Sequence, residues 1–355
     1  MNTVRVVVVG CGTMGSSHAR AYAHLEGFTL AGLVDRSVEK ARRLAQDLGG
    51  VPLYSSLEEA VGSAHPDAAA ICTYPETHHA LTLKALAAGL HVFVEKPIAA
   101  SVAEAEEIAH TARQAQKKVV VGYILRHHPA WQRFIEEARQ LGKPLVMRMS
   151  LNQQSSGAAW EVHKKLMHTM SPIVDCGVHY VDVMCQMTSS RPVWVQAIGA
   201  RLTGEISETM YNYGHLHVMF DDGSVGWYEA GWGPMMSQTA YFVKDVIGPR
   251  GCVSIAEPHA VAEGESSDID SHTKTGSLIK HDAESMKDVR IDTSDEPGHQ
   301  ELCDREQAYF LRAIRDDLDL RGHLADAVNS LRIVLAADES IRTGTVIHLP
   351  ERGRE

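Results

Sequence analysis

The opening βαβ pattern constrains this chain more than any other feature. Val4 to Val9 is a valine-rich run of the kind that forms a strand buried on both faces. Gly10-Cys11-Gly12-Thr13-Met14-Gly15 follows it, Ser16 to Leu25 reads as a helix, and Phe28 to Val34 as a second strand ending at Asp35. In GxGxxG between a strand and a helix each glycine has a physical task. Gly10 permits the tight turn, Gly12 lets the backbone approach a pyrophosphate, and Gly15 lets helix and strand pack closely. The helix start offers N–H groups and partial positive charge to phosphates, and Thr13 and Met14 of the turn are expected among the cofactor contacts. Asp35 lies 20 residues beyond Gly15. A carboxylate there accepts hydrogen bonds from the adenosine ribose hydroxyls and repels a 2′-phosphate. That favours NAD. Arg36, able to stack on adenine or meet a phosphate, keeps NADP open, and FAD, which uses the same fingerprint, is the minor alternative.

The alternation continues through Ser37–Leu48, Ala68–Thr73, His79–Ala88, His91–Val94, Ser101–Gln116 and Val119–Val121. Repeated βα units imply a parallel sheet with helices on both faces. The expectation is therefore an α/β fold whose residues 1–124 form a Rossmann doubly wound domain. The pattern then changes. A helix at Pro129–Leu141 is followed by strand-like stretches at Leu145–Asn152, Val193–Leu202, Tyr213–Phe220, Val225–Gly231 and Ala240–Ile247. Asp221-Asp222-Gly223 is a hairpin signal. A helix at Ile173–Met187, a polar irregular stretch at Glu257–Pro297 and helices at Glu301–Asp316 and Leu324–Thr343 complete it. Residues 125–355 read as an α+β domain with a mostly antiparallel, open-faced sheet, and 355 residues suit two domains.

Composition narrows the partners. The 45 acids against 34 Lys and Arg give a net charge of −11, which disfavours nucleic acid and anionic membranes. The six cysteines form no CxxC pair, so a zinc ribbon or thioredoxin-type site is not indicated. His127-His128 and His215-x-His217 lack an evident third ligand, so no metal is expected. No apolar run reaches the roughly 18 residues that span a bilayer. No secretory leader is visible, and a cytoplasmic setting is expected.

A charged pair and a proline, Glu95-Lys96-Pro97, end the strand at His91. Ligands bind outside the carboxyl ends of parallel strands, so Lys96 is expected at the cofactor crevice. Together with the glycine-rich start, Asp35, Pro75-Glu76-Thr77-His78-His79, Asp175-Cys176-Gly177-Val178-His179 and Gly344-Thr345-Val346, this pattern resembles the Gfo/Idh/MocA oxidoreductases over nearly the whole chain. That family includes inositol, glucose and related sugar dehydrogenases. The resemblance implies a cis Lys96–Pro97 bond and a catalytic triad of Lys96, Asp175 and His179. Cofactor contacts are expected at Thr73, Tyr74, His79, Glu95 and Lys96 besides the glycine turn, Asp35 and Arg36. One departure is that Tyr74 precedes Pro75 where the family usually has Thr-Pro.

Asp175, His179 and Asp182 are spaced i, i+4, i+7 and share a face on a helix. Oxidising a secondary alcohol sends a hydride to the nicotinamide and a proton to a base. Histidine, with an unperturbed pKa of about 6.5, suits the base. Asp175 would orient the ring, and Lys96 would stabilise alkoxide character on the oxygen. Asp182 reads as structural. Tyr123, Arg126, Asn152, Trp160, His163 and Lys164 are further substrate-pocket candidates, because polar and aromatic groups suit a hydroxylated ring. The reading is an NAD(P)-dependent dehydrogenase of a sugar, sugar derivative or cyclitol. The alternatives are glycoside or C-glycoside processing through transient oxidation of a ring carbon, and a catalytically silent sugar- or NAD-sensing regulator. Val225-Gly226-Trp227-Tyr228 marks a sheet face for pairing subunits, as a homodimer or homotetramer.

Overall fold

The computed structural model describes residues 3–237, 243–256, 273 and 275–350. The chain divides into two compact units, one of residues 1–124 with 298–328 and one of residues 125–297 with 329–355.

The first unit runs β1 (Val4–Val9), α1 (Thr13–His24), β2 (Phe28–Val34), α2 (Val38–Asp47), β3 (Leu53–Tyr54), α3 (Leu57–Ala64), β4 (Ala68–Ile71), α4 (Pro75–Ala87), β5 (His91–Glu95), α5 (Val102–Gln114) and β6 (Val119–Gly122). The strands form one sheet in the order β3-β2-β1-β4-β5-β6. Every neighbouring pair is parallel. Strand order reverses between β1 and β4, which is the switch point where open α/β sheets take their ligands. The central strands are buried along nearly their whole length, as covering on both faces requires. The parallel doubly wound sheet expected from the βα alternation is thus present. The short β3 and α3 carry too little periodicity to be read. The fourth helix starts at Pro75 rather than His79, because proline fits the first helical turn.

The second unit is not the unbroken 125–355 that the change of pattern suggests. Residues 298–328, including the helix α10 (His299–Arg315), belong with the first unit. The reason is apolar burial. Leu302, Phe310 and Ala313 of α10 are wholly buried. The Phe310 ring lies 6.3 Å from both Phe28 and Phe93.

The remaining elements are α6 (Pro129–Gln140), β7 (Val146–Gln154), α7 (Gly157–Leu166), α8 (Pro172–Asp175), α9 (Gly177–Thr188), β8 (Pro192–Ala200), β9 (Tyr213–Phe220), β10 (Val225–Gly233), β11 (Lys244–Gly248), β12 (Gly251–Ile255), β13 (Gly276–Asp282) and β14 (Lys287–Thr293). The chain closes with α11 (Arg321–Thr343) and β15 (Ile347–His348). The sheet order is β14-β13-β12-β11-β7-β10-β9-β8-β15. All its pairs are antiparallel except β7 with β10. The expected hairpin at 221–223 joins β9 to β10, with Gly223 at φ +82°. Of the strand expected at Ala240–Ile247, residues 240–242 lie outside the described residues, as do 257–272 and 274 of the polar stretch. Buried Leu216, Val218 and Phe220 alternate on β9 with His215 and His217 on the other face. The helix expected at 173–187 is two pieces. A tightened turn, the His179 N–H donating to the Cys176 carbonyl at 3.2 Å, joins α8 to α9.

Truncating the aromatic that ties α10 to the first sheet tests this architecture. Phe310→Ala should destabilise the protein by about 3–5 kcal/mol in denaturant unfolding. A loss under about 1 kcal/mol would mean that α10 is not part of that core.

Candidate active site

In the first unit the candidate residues are built on the turn after β1. A Cβ on Gly10 would stand 2.4 Å from the Cys72 carbonyl oxygen, and Gly10 has φ +96°. A Cβ on Gly15 would stand 1.8 Å from the Gly10 oxygen. Both glycines are required by backbone packing. Gly12 differs: nothing lies within 4 Å of its Cβ position. It is also the N-cap of α1, and no side chain caps that helix start. An open, uncapped helix N-terminus beside a side-chain-free turn suits a pyrophosphate. The donor set therefore fits a dinucleotide. Thr13 and Met14 occupy the first turn of α1. Asp35 accepts from the Cys11 and Ser37 N–H groups, each at 2.6 Å, and so braces the turn from the second strand. Arg36 is exposed beside it.

The loop after β4 carries Thr73 and Tyr74. The Thr77 hydroxyl donates to Thr73 Oγ1 at 2.7 Å, and Tyr74 is 68% exposed. His79 lies against α5, its Nε2 2.8 Å from Glu107. Its neighbour is the one that reaches the Glu-Lys-Pro turn. Buried His78 has Nδ1 2.8 Å from the Pro97 carbonyl and Nε2 3.0 Å from that of Thr73. The Lys96–Pro97 bond is cis. Glu95, read from the sequence as a cofactor contact, turns its carboxylate inward. It is buried, with Oε1 2.7 Å from His18 Nε2 and Oε2 accepting from the Lys96 N–H at 3.2 Å. Lys96 itself is half-buried, and Tyr123, at the end of this unit, is buried.

In the second unit the candidate residues lie around α8 and α9. Gly177 is where it is for packing: a Cβ would stand 2.7 Å from the Tyr228 ring. This seats the start of α9 against β10, where Tyr180 stacks on Tyr228 at 5.2 Å. Along α9 every residue is buried except His179 and Gln186. Asp175, at the end of α8, is likewise half-buried. The i, i+7 partner Asp182 is the structural residue expected of it. It is fully buried and takes the Arg126 guanidinium at 2.8 and 2.5 Å and the Gln186 amide at 3.0 Å. Burial raises its pKa, and Arg126 opposes that rise. Arg126, read as a pocket residue, is thereby committed to Asp182.

Around Asp175 lies a buried polar floor. His163 stacks on Trp232 with ring centroids 4.4 Å apart and planes 5° from parallel. Its Nδ1 is 2.9 Å from Ser155 Oγ. Burial pulls the ring down to about 4, against the opposing charge of Asp175, so it is neutral at physiological pH. Gln153 Oε1 accepts from Trp232 Nε1 at 2.7 Å and from the Cys176 thiol at 3.3 Å. Asn152 donates to Glu229. Trp160 and Lys164 both turn to Glu205, at 3.3 and 2.8 Å. Gln153, Ser155, Trp232 and Glu229 escape a motif search. For Gln153 and Ser155 the signal is the polar run Asn152-Gln153-Gln154-Ser155, which begins on a largely buried strand.

A doubly wound sheet with an open glycine turn at its switch point is the architecture of a dinucleotide-binding domain. Residues 4–123 match the oxidoreductase family with NAD-binding Rossmann fold, and residues 133–251 match the GFO/IDH/MocA C-terminal domain. The chain belongs to this family; it is an enzyme of the dehydrogenase class, and its cofactor is NAD. It is 25% identical over 365 residues to scyllo-inositol 2-dehydrogenase (NAD(+)) of Bacillus subtilis, covering 98% of this chain and 96% of that one. It is 29% identical over 196 residues to UDP-N-acetylglucosamine 3-dehydrogenase of Acidithiobacillus ferrooxidans, 55% of this chain and 58% of that one. The solved structure of an oxidoreductase from Agrobacterium radiobacter with NAD+, L-tartaric acid and magnesium shares the fold, with TM-score 0.80 over 98% of each chain at 15% identity. No helix among the described residues is long and apolar enough to cross a membrane.

The open space over Gly12 makes a direct test. Gly12→Val should leave the melting temperature within about 2 °C while weakening NAD by at least about tenfold, 1.4 kcal/mol, in calorimetry. Unchanged NAD affinity would mean that this turn does not hold the pyrophosphate.

Proposed function

We propose that this enzyme oxidises a secondary hydroxyl of a sugar, sugar derivative or cyclitol. The observation that carries the reading is the pair Asp175 and His179. They are half-buried, where the helix bearing His179 is buried at every other position but Gln186, beside a floor of buried amides and indole. Amide and hydroxyl groups meet ring hydroxyls, and an aromatic face covers ring C–H groups. The names of the relatives, an inositol and a nucleotide-sugar dehydrogenase, support the same substrate class.

The glycine turn and α1 bind the pyrophosphate, and Asp35 orients the adenosine end. NAD, when bound, takes up the hydride from the carbinol carbon. Lys96 donates a hydrogen bond to the hydroxyl oxygen and stabilises negative charge growing there. His179 accepts the hydroxyl proton. Asp175 holds the ring and stabilises its protonated form. His163, neutral in its stack on Trp232, contacts substrate without exchanging a proton.

Lys96→Met and His179→Ala should each lower kcat by about 10²–10⁴-fold. NAD affinity should stay within about threefold of the native value. Loss of NAD binding with unchanged turnover per bound cofactor would overturn these roles.

The enzyme works as a cytoplasmic homo-oligomer, its second-unit sheet meeting that of another copy. The outer sheet face has a groove of about 530 Å³ lined by Val146, Arg148, Trp194, His217, Trp227 and Val243. Ile198 nearby on β8 is 61% exposed. An apolar patch of this kind on a soluble enzyme fits a protein partner better than a polyol. Trp227→Arg should shift the species seen by light scattering toward monomer; a native protein already monomeric at working concentration would contradict the assembly.

A further inference from the structure

Beneath the Glu-Lys-Pro turn, buried groups hold the spacing of a metal site. Nitrogen, sulfur and oxygen atoms of His18, Cys303 and Glu306 lie within 4.8 Å of one another. Their chemistry argues against an ion. Both His18 nitrogens are engaged, Nε2 at 2.7 Å from Glu95 and Nδ1 at 2.8 Å from the Gln307 amide. Burial, and then the charge of Glu306, pushes the Cys303 thiol up. Burial, and then the charge of Glu95, pushes the Glu306 carboxyl well up. A metal would have to draw protons from two groups whose surroundings retain them.

What the cluster does contain is a directed chain of hydrogen bonds. Tyr22, wholly buried, keeps its proton, and its hydroxyl donates to Gln307 Oε1. That turns the Gln307 nitrogen toward His18 Nδ1. An amide nitrogen only donates, so Nδ1 must accept, and the ring proton sits on Nε2, aimed at Glu95. Burial alone would raise the Glu95 carboxyl. The hydrogen bond from His18 is the largest influence opposing that rise, and the group is held below its usual range. The ionised carboxylate then accepts the backbone N–H of Lys96 at 3.2 Å. The chain thus runs from α1 and α10 to the residue that carries the ammonium.

We infer that Tyr22, Gln307 and His18 are positioning residues for Lys96: they fix the tautomer of one buried imidazole so that it holds Glu95, and through Glu95 the turn. The inference rests on the reading of Lys96 as a catalytic group. An apolar set of side chains would fill this volume without the desolvation cost of a buried carboxylate. A hydrogen-bonded polar relay specifies one geometry, which is what a lysine aimed at a reacting oxygen needs. The same relay ties the turn to α1, whose N-terminus holds the cofactor phosphates.

The test compares His18→Leu, which has no donor, with His18→Gln, which keeps one in the Nε2 position. Both should hold NAD within about threefold of native. His18→Leu should lower kcat by about 30–100-fold with little change in the KM for the alcohol. His18→Gln should recover most of that loss. Nitrogen-15 NMR of the ring should show a proton on Nε2 and none on Nδ1 in the native enzyme, and a mixture of tautomers in Gln307→Leu. Should His18→Leu not fold, Tyr22→Phe gives the milder break and should scramble the same tautomer. Native kcat in His18→Leu, a proton on Nδ1, or a stoichiometric metal surviving purification would each overturn the inference. Lys96→Met retaining native kcat would remove the reading of Lys96 and the inference with it. An inactive Lys96→Met beside a fully active His18→Leu would remove the inference alone.

Discussion

The first unit depends on how closely the turn after β1 lies against the strand beside it. Gly10 has the Cys72 carbonyl where any side chain would begin, and Gly15 has the Gly10 oxygen there. No other residue type fits either place without moving backbone. The close fit brings the start of α1 to the switch point of the sheet, between β1 and β4. It also leaves Gly12 facing open space. Two of the glycines are needed for packing, and the third is not. The same helix then carries His18 and Tyr22 down against β5 and α10.

Each unit contains buried polar groups that stability alone would not select. In the first they run from Tyr22 to the Lys96 backbone. In the second they form the floor of Asn152, Gln153, Ser155 and His163, bonded to Glu229, Trp232 and Cys176. Taking such groups out of water costs free energy unless every partner is in place. The bonds made around Gln153 and His18 offset much of that cost and fix side-chain orientation. The neutrality of His163 follows from the same burial.

Much of this was legible in the residues. Valine runs, turn glycines and the acid at 35 are local signals, and local signals survive in a sequence. The parallel sheet, the mostly antiparallel second sheet and the hairpin at 221–223 follow from period and turn chemistry. The return of residues 298–328 to the first unit was not legible, because its cause is a long-range contact. Phe310 looks like any apolar residue on an amphipathic helix until Phe28 and Phe93 are seen beside it. Glu95 misled for a related reason. The resemblance implies a cofactor contact at Glu95, whereas its buried carboxylate meets a histidine 77 positions earlier. Trp232 belongs to no motif, and its hydrogen bond to Gln153 is seen only once β10 lies beside β7.

The most direct measurement of the account is isotope transfer. Carbon-deuterated cyclitols, sugars and glycosides are incubated with the purified enzyme and NAD, and the recovered nicotinamide is read by NMR. The account predicts deuterium on one face of the ring carbon that accepts hydride with at least one of these compounds. If enzyme saturated with NAD moves no deuterium from any of them, the chain does not remove hydrogen from a carbinol carbon of such molecules, and the proposed chemistry fails.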